Sequence, residues 1–463
     1  MVEYSINQVL KNIDDNIENS VTRLEKLLSF KSISTDPTYK EDCKDTAKFL
    51  VEMLKEIGFE ASIRETEGHP MVVAHHNSDR TNAPHVLFYG HYDVQPVDPI
   101  EQWQSDPFVA TRKIKNGKEV IVARGSSDDK GQLMTFIEAC RSYKELYNSL
   151  PLRVTILLEG EEESGSPSLI PFLVENKEEL KADFALVCDT SMWDENTPSI
   201  SLGLRGMLAQ EIVIKGADRD LHSGSYGGAA ANPLNILAKI LGNIKSEDGK
   251  VQIPGFYDGV FDIDNDLLSS WNNLNCTAEQ FLAPVGLSQI SGEKDRSLLE
   301  TIWSRPTADI NGIKGGYNGD GFKTVIPGVA SAKISFRLVQ NQDPEKIKQA
   351  FKAFVKERVP SDCQVQIIDY GCSPAISLSS DADFIQKGLK SLTEEWDKEA
   401  ILVCCGGSIP VVGDFQKILD MKSMLIGFAL EDDNIHSPNE KYNIKSFHKG
   451  QRSWARLILE LAK

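Results

Sequence analysis

The chain has 463 residues, 41% hydrophobic and 25% charged, with a net charge of -18; this is the composition of a soluble globular protein too long for one small core, so two or three domains are expected. The acidity excludes nucleic-acid backbone and anionic membrane surfaces as partners, because both need a basic face. No apolar run reaches membrane-spanning length and no basic-then-apolar leader opens the chain; the eight cysteines, with no C-x-x-C pattern, read as reduced thiols, so a cytoplasmic location is expected.

The pattern opens with helix. Val9, Leu10, Ile13, Ile17, Val21, Leu24, Leu27 and Leu28 recur at helical spacing across the first 40 residues, and a second amphipathic stretch covers 45–58. Strand-length apolar runs then alternate with helical segments, the signature of an α/β fold with a mixed, mostly parallel sheet flanked by helices. Several runs end in acids or histidines. Residues 86–89 lead into Gly90-His91-Tyr92-Asp93-Val94-Gln95-Pro96, and 120–123 into Arg124-Gly125-Ser126-Ser127-Asp128-Asp129-Lys130-Gly131. Residues 154–158 lead into Glu159-Gly160-Glu161-Glu162-Glu163, 184–188 into Asp189, and 424–430, a few residues on, into His436. Ligands of open α/β sheets bind beyond the carboxyl ends of the strands, which predicts that these clusters converge on one crevice.

Singly, each cluster reads most simply as loop: His91-x-Asp93 as a surface pair, Asp128 as the cap of a helix over 134–143. Together, two histidines with several carboxylates suit a pair of divalent cations of the Zn or Mn type that share a carboxylate and act on water and a carbonyl. In an extended segment residues i and i+2 share a side, so Asp93 can stand behind His91 and accept its second N–H. Neighbours on such a segment diverge, so Glu163 and Glu162 can face different partners, which leaves a spare carboxylate for general-base work.

After Leu202-Gly203-Leu204-Arg205-Gly206 the texture changes. Residues 209–215 and 330–339 alternate apolar and polar, as half-exposed antiparallel strands do, and 364–368 is a further strand. Residues 232–246 place Leu234, Leu237, Ile240, Leu241 and Ile244 on one helical face; 343–359 does the same with Ile347, Ala350, Phe351, Phe354 and Val355. This predicts an inserted α+β domain of the split βαβ, ferredoxin-like kind. Between its parts lies the aromatic-rich stretch 254–306, which either packs on this domain or covers the site. Residues 316–324 miss the P-loop pattern by one inserted residue, Phe322, and Val325-Ile326-Pro327 opens no helix, so nucleotide binding is not expected. A helical pattern resumes near Ala382. The expected division is a catalytic domain over 1–204 and 381–463, interrupted by a lid or dimerisation domain over 205–380.

These motifs, with Glu162-Glu163-Ser164-Gly165-Ser166, Asp220-Leu221-His222-Ser223-Gly224, Gly406-Gly407-Ser408-Ile409-Pro410 and His436-Ser437-Pro438-Asn439-Glu440, stand in the order seen in M20 metallopeptidases. The chain most resembles the cytosolic non-specific dipeptidase and carnosine dipeptidase group. The resemblance implies a Zn-exopeptidase-like catalytic domain with a lid, and hydrolysis of dipeptides or short peptides that carry a free C-terminal carboxylate. It implies two Zn2+ or Mn2+ ions: His91, Asp128 and Asp189 hold one, Asp128, Glu163 and His436 the other, and Asp128 bridges. Asp93 then orients His91, Glu162 is the general base, and the peptide bond between Asp128 and Asp129 is cis. The resemblance also makes the protein a homodimer in which His222 reaches the partner's active site and donates to the developing oxyanion. Thr324, Arg337 and Ser408 contact substrate, with Arg337 on its terminal carboxylate. Many relatives carry Arg-Glu before Gly-Gly-Ser, whereas this chain has Cys404-Cys405, a departure that bears on substrate preference. Two alternatives stand beside this reading. A deacylase or desuccinylase of N-acyl amino acids would use the same site, and an inactive metal-binding scaffold would lack a ligand or base, yet none is missing.

Overall fold

The computed structural model describes residues 3–407 and 409–463. They form two compact units: Met1–Leu202, Leu378–Val403 and Asp414–Lys463 make one, Gly203–Ser377 and Cys404–Gly413 the other.

The first unit is built on a mixed sheet. Its strands follow in space as Glu60–Arg64, Met71–His76, Arg153–Glu159, His85–His91, Phe184–Val187, Ser423–Ile426 and Ser199–Leu204. The pairings around His85–His91, and that between Phe184–Val187 and Ser423–Ile426, are parallel. The pairings outside them are antiparallel. Val86, Leu87, Phe88 and Tyr89 are all fully buried, which is why the run is continuously apolar: helices cover both faces of such strands. Phe88 stacks on Phe136 of the helix Lys130–Tyr147 at 4.0 Å, and Trp454 of the helix Ile444–Leu461 meets Phe136 edge-on at 5.4 Å.

Three local readings are corrected. The opening helical pattern is two helices, Ile6–Asp15 and Ile17–Leu28, parted at Asn16, whose backbone leaves the helical region. Residues 120–123 do not feed the central sheet. The strand Lys118–Val122 belongs to a separate three-stranded antiparallel sheet with Thr111–Lys115 and Lys441–Asn443. The cause is a two-residue hairpin at Asn116-Gly117, both with positive φ (53° and 77°), the conformation such turns require. The last strand stops at Ile426; just past it Gly427 lies so close to Thr190 that a Cβ there would sit 1.7 Å from the Thr190 carbonyl oxygen.

The second unit is a four-stranded antiparallel sheet in the order Thr307–Gly315, Val329–Leu338, Gly206–Lys215, Gln364–Ser373. The helices Pro233–Gly242 and Pro344–Lys356 pack against it, and the chain order is that of a split βαβ fold. Each helix starts with proline at its first position behind a capping side chain: Asn232 accepts from Leu234 N, and Asp343 from Glu345 N. Leu208, Ile212, Ile334, Phe336, Leu237 and Phe351 form the core between sheet and helices. Residues 254–306 belong to this unit, and Phe256 enters its core. No helix follows Gly321: Val325–Ile326 is a short strand paired with Leu221–His222.

Candidate metal centre

His91 ends its strand, and Asp189 follows the neighbouring parallel strand Phe184–Val187. Their ligand atoms and one from Asp128 all lie within 4.8 Å of one another; Asp128, Glu163 and His436 satisfy the same limit. Asp128 belongs to both groups through different oxygens. His91 Nε2 lies 3.1 Å from its Oδ1, and His436 Nε2 lies 2.9 Å from its Oδ2 and 3.3 Å from Glu163 Oε2.

The surroundings hold these groups from behind. His91 Nδ1 lies 3.3 Å from Asp93 Oδ1 and 3.1 Å from the Asp93 carbonyl oxygen. The Asp93 carboxylate also accepts from Glu162 N at 3.2 Å and Glu163 N at 3.0 Å, so one buried side chain joins two strand-end loops. Gln95 Nε2 donates to Glu163 Oε2 at 2.6 Å, while Glu163 Oε1 is buried without a hydrogen-bond partner among the described residues. Asp129 accepts from His91 N at 3.1 Å. The Asp128–Asp129 peptide bond is cis.

Two expectations about these residues change. Glu162 and Glu163 lie in a 3₁₀ turn, Glu162–Ser164, not on an extended segment. The turn presents the Glu163 carboxylate to Gln95 and His436, while the Glu162 backbone is held at Asp93. Nor does Asp128 cap the following helix: Asp129 occupies the cap position and makes no side-chain cap bond.

Burial and crowded charge shift the titrations in opposite directions. Burial pulls His91 down, but its hydrogen bonds with Asp128 and Asp93 outweigh this and hold it well above the ordinary imidazole value. Hydrogen bonds with Asp128 and Glu163 push His436 up to about 10. Burial raises Asp128, yet the bonds from His436 and His91 hold it well below the usual carboxylate range. Asp189 is raised well above that range, first by burial, with Asp128, Glu162 and Glu163 adding while His91 opposes. Glu162 is also raised, again first by burial.

This concentration of carboxylates around two imidazoles is what a divalent cation resolves. The donors are the nitrogen and oxygen ligands that Zn or Mn accepts, and the orphaned Glu163 Oε1 is a buried polar atom that needs a partner. The residues fit a divalent metal.

The remaining candidates lie in the second unit. His222 is exposed, and its Nδ1 accepts from Gly224 N at 3.0 Å. Thr324 lies beside it, accepting from Ser223 N through its carbonyl at 3.1 Å. Arg337 stands on Val329–Leu338, opposite Met207 and Thr307. Ser408 lies outside the described residues. Cys405, one half of the unusual pair, accepts from Gly407 N at 3.4 Å through sulfur.

Gln95, Glu440 and Arg205 support the site without any role assigned to them from the sequence. Gln95 was readable, because it stands two residues after Asp93 in the same motif. Glu440 closes the motif His436-Ser437-Pro438-Asn439-Glu440, but nothing local in the sequence tells that it binds the backbone around Asp128. Arg205 donates through Nε to Gly406 O at 3.0 Å, and burial together with the nearby Arg337 charge lowers its guanidinium to about 10.

Residues 87–460 match the model for Peptidase family M20/M25/M40. A Cys-Gly metallodipeptidase of Schizosaccharomyces pombe is 29% identical over 476 residues, covering 100% of this chain and 99% of that protein. The Beta-Ala-His dipeptidase of Homo sapiens is 28% identical over 400 residues, 85% of this chain and 78% of that one. Among solved structures, human carnosine dipeptidase 1 superimposes with a TM-score of 0.79 at 25% identity, covering 99% of both chains. An M20 family metallo-carboxypeptidase from Sulfolobus solfataricus gives a TM-score of 0.82 at 31% identity, covering 96% of this chain and 99% of that one. The matched segment contains every candidate metal ligand, and on that extent the chain belongs to peptidase family M20/M25/M40.

Proposed function

We propose that the protein is a dinuclear metallodipeptidase that hydrolyses the peptide bond of dipeptides or short peptides with a free C-terminal carboxylate. One observation carries the reading: two three-residue donor groups share Asp128. The dipeptidase names of relatives that match along nearly the whole chain support it.

In this reading His91, Asp128 and Asp189 would hold one Zn2+ or Mn2+ ion, and Asp128, Glu163 and His436 the other. When bound, such a pair supplies an electrophile for a scissile carbonyl and lowers the pKa of water. Glu162 takes the proton of the attacking water and returns it to the leaving amine; a carboxyl raised by burial is suited to both transfers. Asp93 keeps His91 in one orientation. Arg337 pairs its guanidinium fork with the substrate's terminal carboxylate. Thr324 and Ser408 contact the same substrate, and His222 serves the partner subunit of a homodimer by donating to the oxyanion. The first unit is then the catalytic domain and the second the lid or dimerisation domain. Scattered cysteines with no C-x-x-C pattern favour the cytoplasm as its location; no helix among the described residues is long and apolar enough to cross a membrane.

The test is a substrate panel on purified, metal-supplemented protein: free dipeptides, N-blocked dipeptides, and N-acetyl or N-succinyl amino acids. Turnover of free dipeptides is expected. Turnover confined to the N-acyl amino acids would replace this reading with the deacylase.

A further inference from the structure

The loop that carries the shared aspartate is held by a residue far away in sequence. Gly125 N, Ser127 N and Asp128 N donate to the Glu440 carboxylate at 2.9, 2.8 and 3.0 Å. Arg124 Nη1 adds a fourth bond at 2.8 Å, and its Nη2 continues to the Pro96 carbonyl at 2.9 Å. Glu440 Oε1 takes the amides of Ser127 and Asp128, and Oε2 takes Gly125 and the guanidinium, so both oxygens are filled. Glu440 is 0% exposed and Arg124 1%. A buried charge persists when it is paired and hydrogen-bonded; both Glu440 oxygens meet that condition, while Arg124 Nε is left without a partner among the described residues. The Glu440 carbonyl also accepts from Ala123 N at 3.1 Å. Beside it, Ser127 Oγ donates to Asp433 Oδ2 at 2.8 Å, and Lys441 donates to the other oxygen of Asp433.

Glu440 lies in the same short segment as His436. One side chain therefore joins the backbone of the shared ligand to the loop that bears the exposed histidine ligand.

We propose that Glu440 is a positioning residue for the metal centre: it fixes the backbone from Gly125 to Asp128 against the His436 segment, so that the two Asp128 oxygens face two metal positions at once. The inference rests on the dinuclear reading above. Without Glu440, the amides of Gly125, Ser127 and Asp128 lose the carboxylate that gathers them, and small rotations of Asp128 move both oxygens together. A group that orients a metal ligand from behind typically contributes about 10–100-fold to metal affinity or rate. Because Asp128 would serve both positions, loosening it weakens both.

The experiment is calorimetric titration of metal-free protein with Zn2+ or Mn2+, comparing wild type with Glu440→Gln. Glutamine keeps the shape and one acceptor oxygen, but removes the charge and turns an NH2 group toward backbone N–H donors. Both dissociation constants are expected to rise roughly 10–100-fold, while the KM for dipeptide at saturating metal stays unchanged. The single variant leaves Arg124 buried without its partner; if it does not fold, Arg124→Met with Glu440→Gln removes both charges and carries the same test. Unchanged metal affinities, with or without a lower melting temperature, would make Glu440 merely structural and overturn the proposal. Weakening of only one position would overturn it too. If wild type itself binds fewer than two metals, the dinuclear reading fails and the inference with it; two tight sites in wild type and in the variant remove the inference alone.

Discussion

Glu162 and Asp93 sit in adjoining loops and have separable roles. Glu162→Gln keeps size and hydrogen bonding but cannot accept a proton, so turnover should fall by roughly 10²–10⁴. Metal content, measured by elemental analysis, should stay at the wild-type value; lost metal would mean that Glu162 is a ligand. Asp93→Ala deprives His91 of its partner and the amides of Glu162 and Glu163 of their acceptor. It should weaken metal affinity or rate by about 10–100-fold. Away from the site, His76 accepts from Leu150 N at 3.2 Å, and burial, then Lys144, lowers it to about 4 from an ordinary 6.5. Between those values the unfolded chain binds a proton that the folded chain does not, so stability falls as pH drops from 6.5 and levels off below about 4. After discounting for partial exposure, the loss is on the order of 1–2 kcal/mol. Melting temperatures of metal-free protein across this range should show it, and His76→Gln should remove that component of the slope.

Among the elements, periodicity carried most of the fold. The strand Val329–Leu338 alternates buried and accessible along its length, and the helix Pro344–Lys356, expected over 343–359, buries Ile347, Phe351, Phe354 and Val355. Asp343→Ala removes that helix's cap, whose side chain accepts from Glu345 N at 2.9 Å. The expected cost is about 1 kcal/mol, read as a shifted urea midpoint with unchanged metal binding. Lys118–Val122 went to the wrong sheet for a physical reason. An apolar run reports burial, whereas the hairpin at Asn116-Gly117 decides which neighbour the strand meets. The 3₁₀ turn at Glu162–Ser164 was hidden similarly, since a run of glutamates has no apolar period to read.

For the whole molecule, every proposed metal ligand belongs to the first unit. Metal should therefore stabilise that unit, by about 4 kcal/mol at a thousandfold excess over the dissociation constant. Chelation should lower the melting temperature and increase hydrogen exchange in the loops around His91, Asp128, Glu163 and His436. The sheet built on Gly206–Lys215 and Val329–Leu338 should keep its protection; equal loss there would count against the assignment. The proposed dimer has its own test. Mixing inactive Glu162→Ala and His222→Ala proteins should restore activity if His222 serves the partner's site, and failure of the mixture under subunit exchange would count against that role.

The amino-acid pattern alone placed His91, Asp128, Glu163, Asp189 and His436 at the ends of buried runs, because hydrophobic period and its interruption are local properties of the chain. It also supplied the order of motifs that marks the family. It offered Asp93 as the group behind His91, and was silent on what holds the other ligands. Arg124 and Glu440 are 316 residues apart in sequence, and their pairing exists only once the Lys118–Val122 and Lys441–Asn443 strands have met. Which atoms can bind a metal is a matter of residue type; which amide or carboxylate stands behind each ligand depends on contacts that folding alone creates.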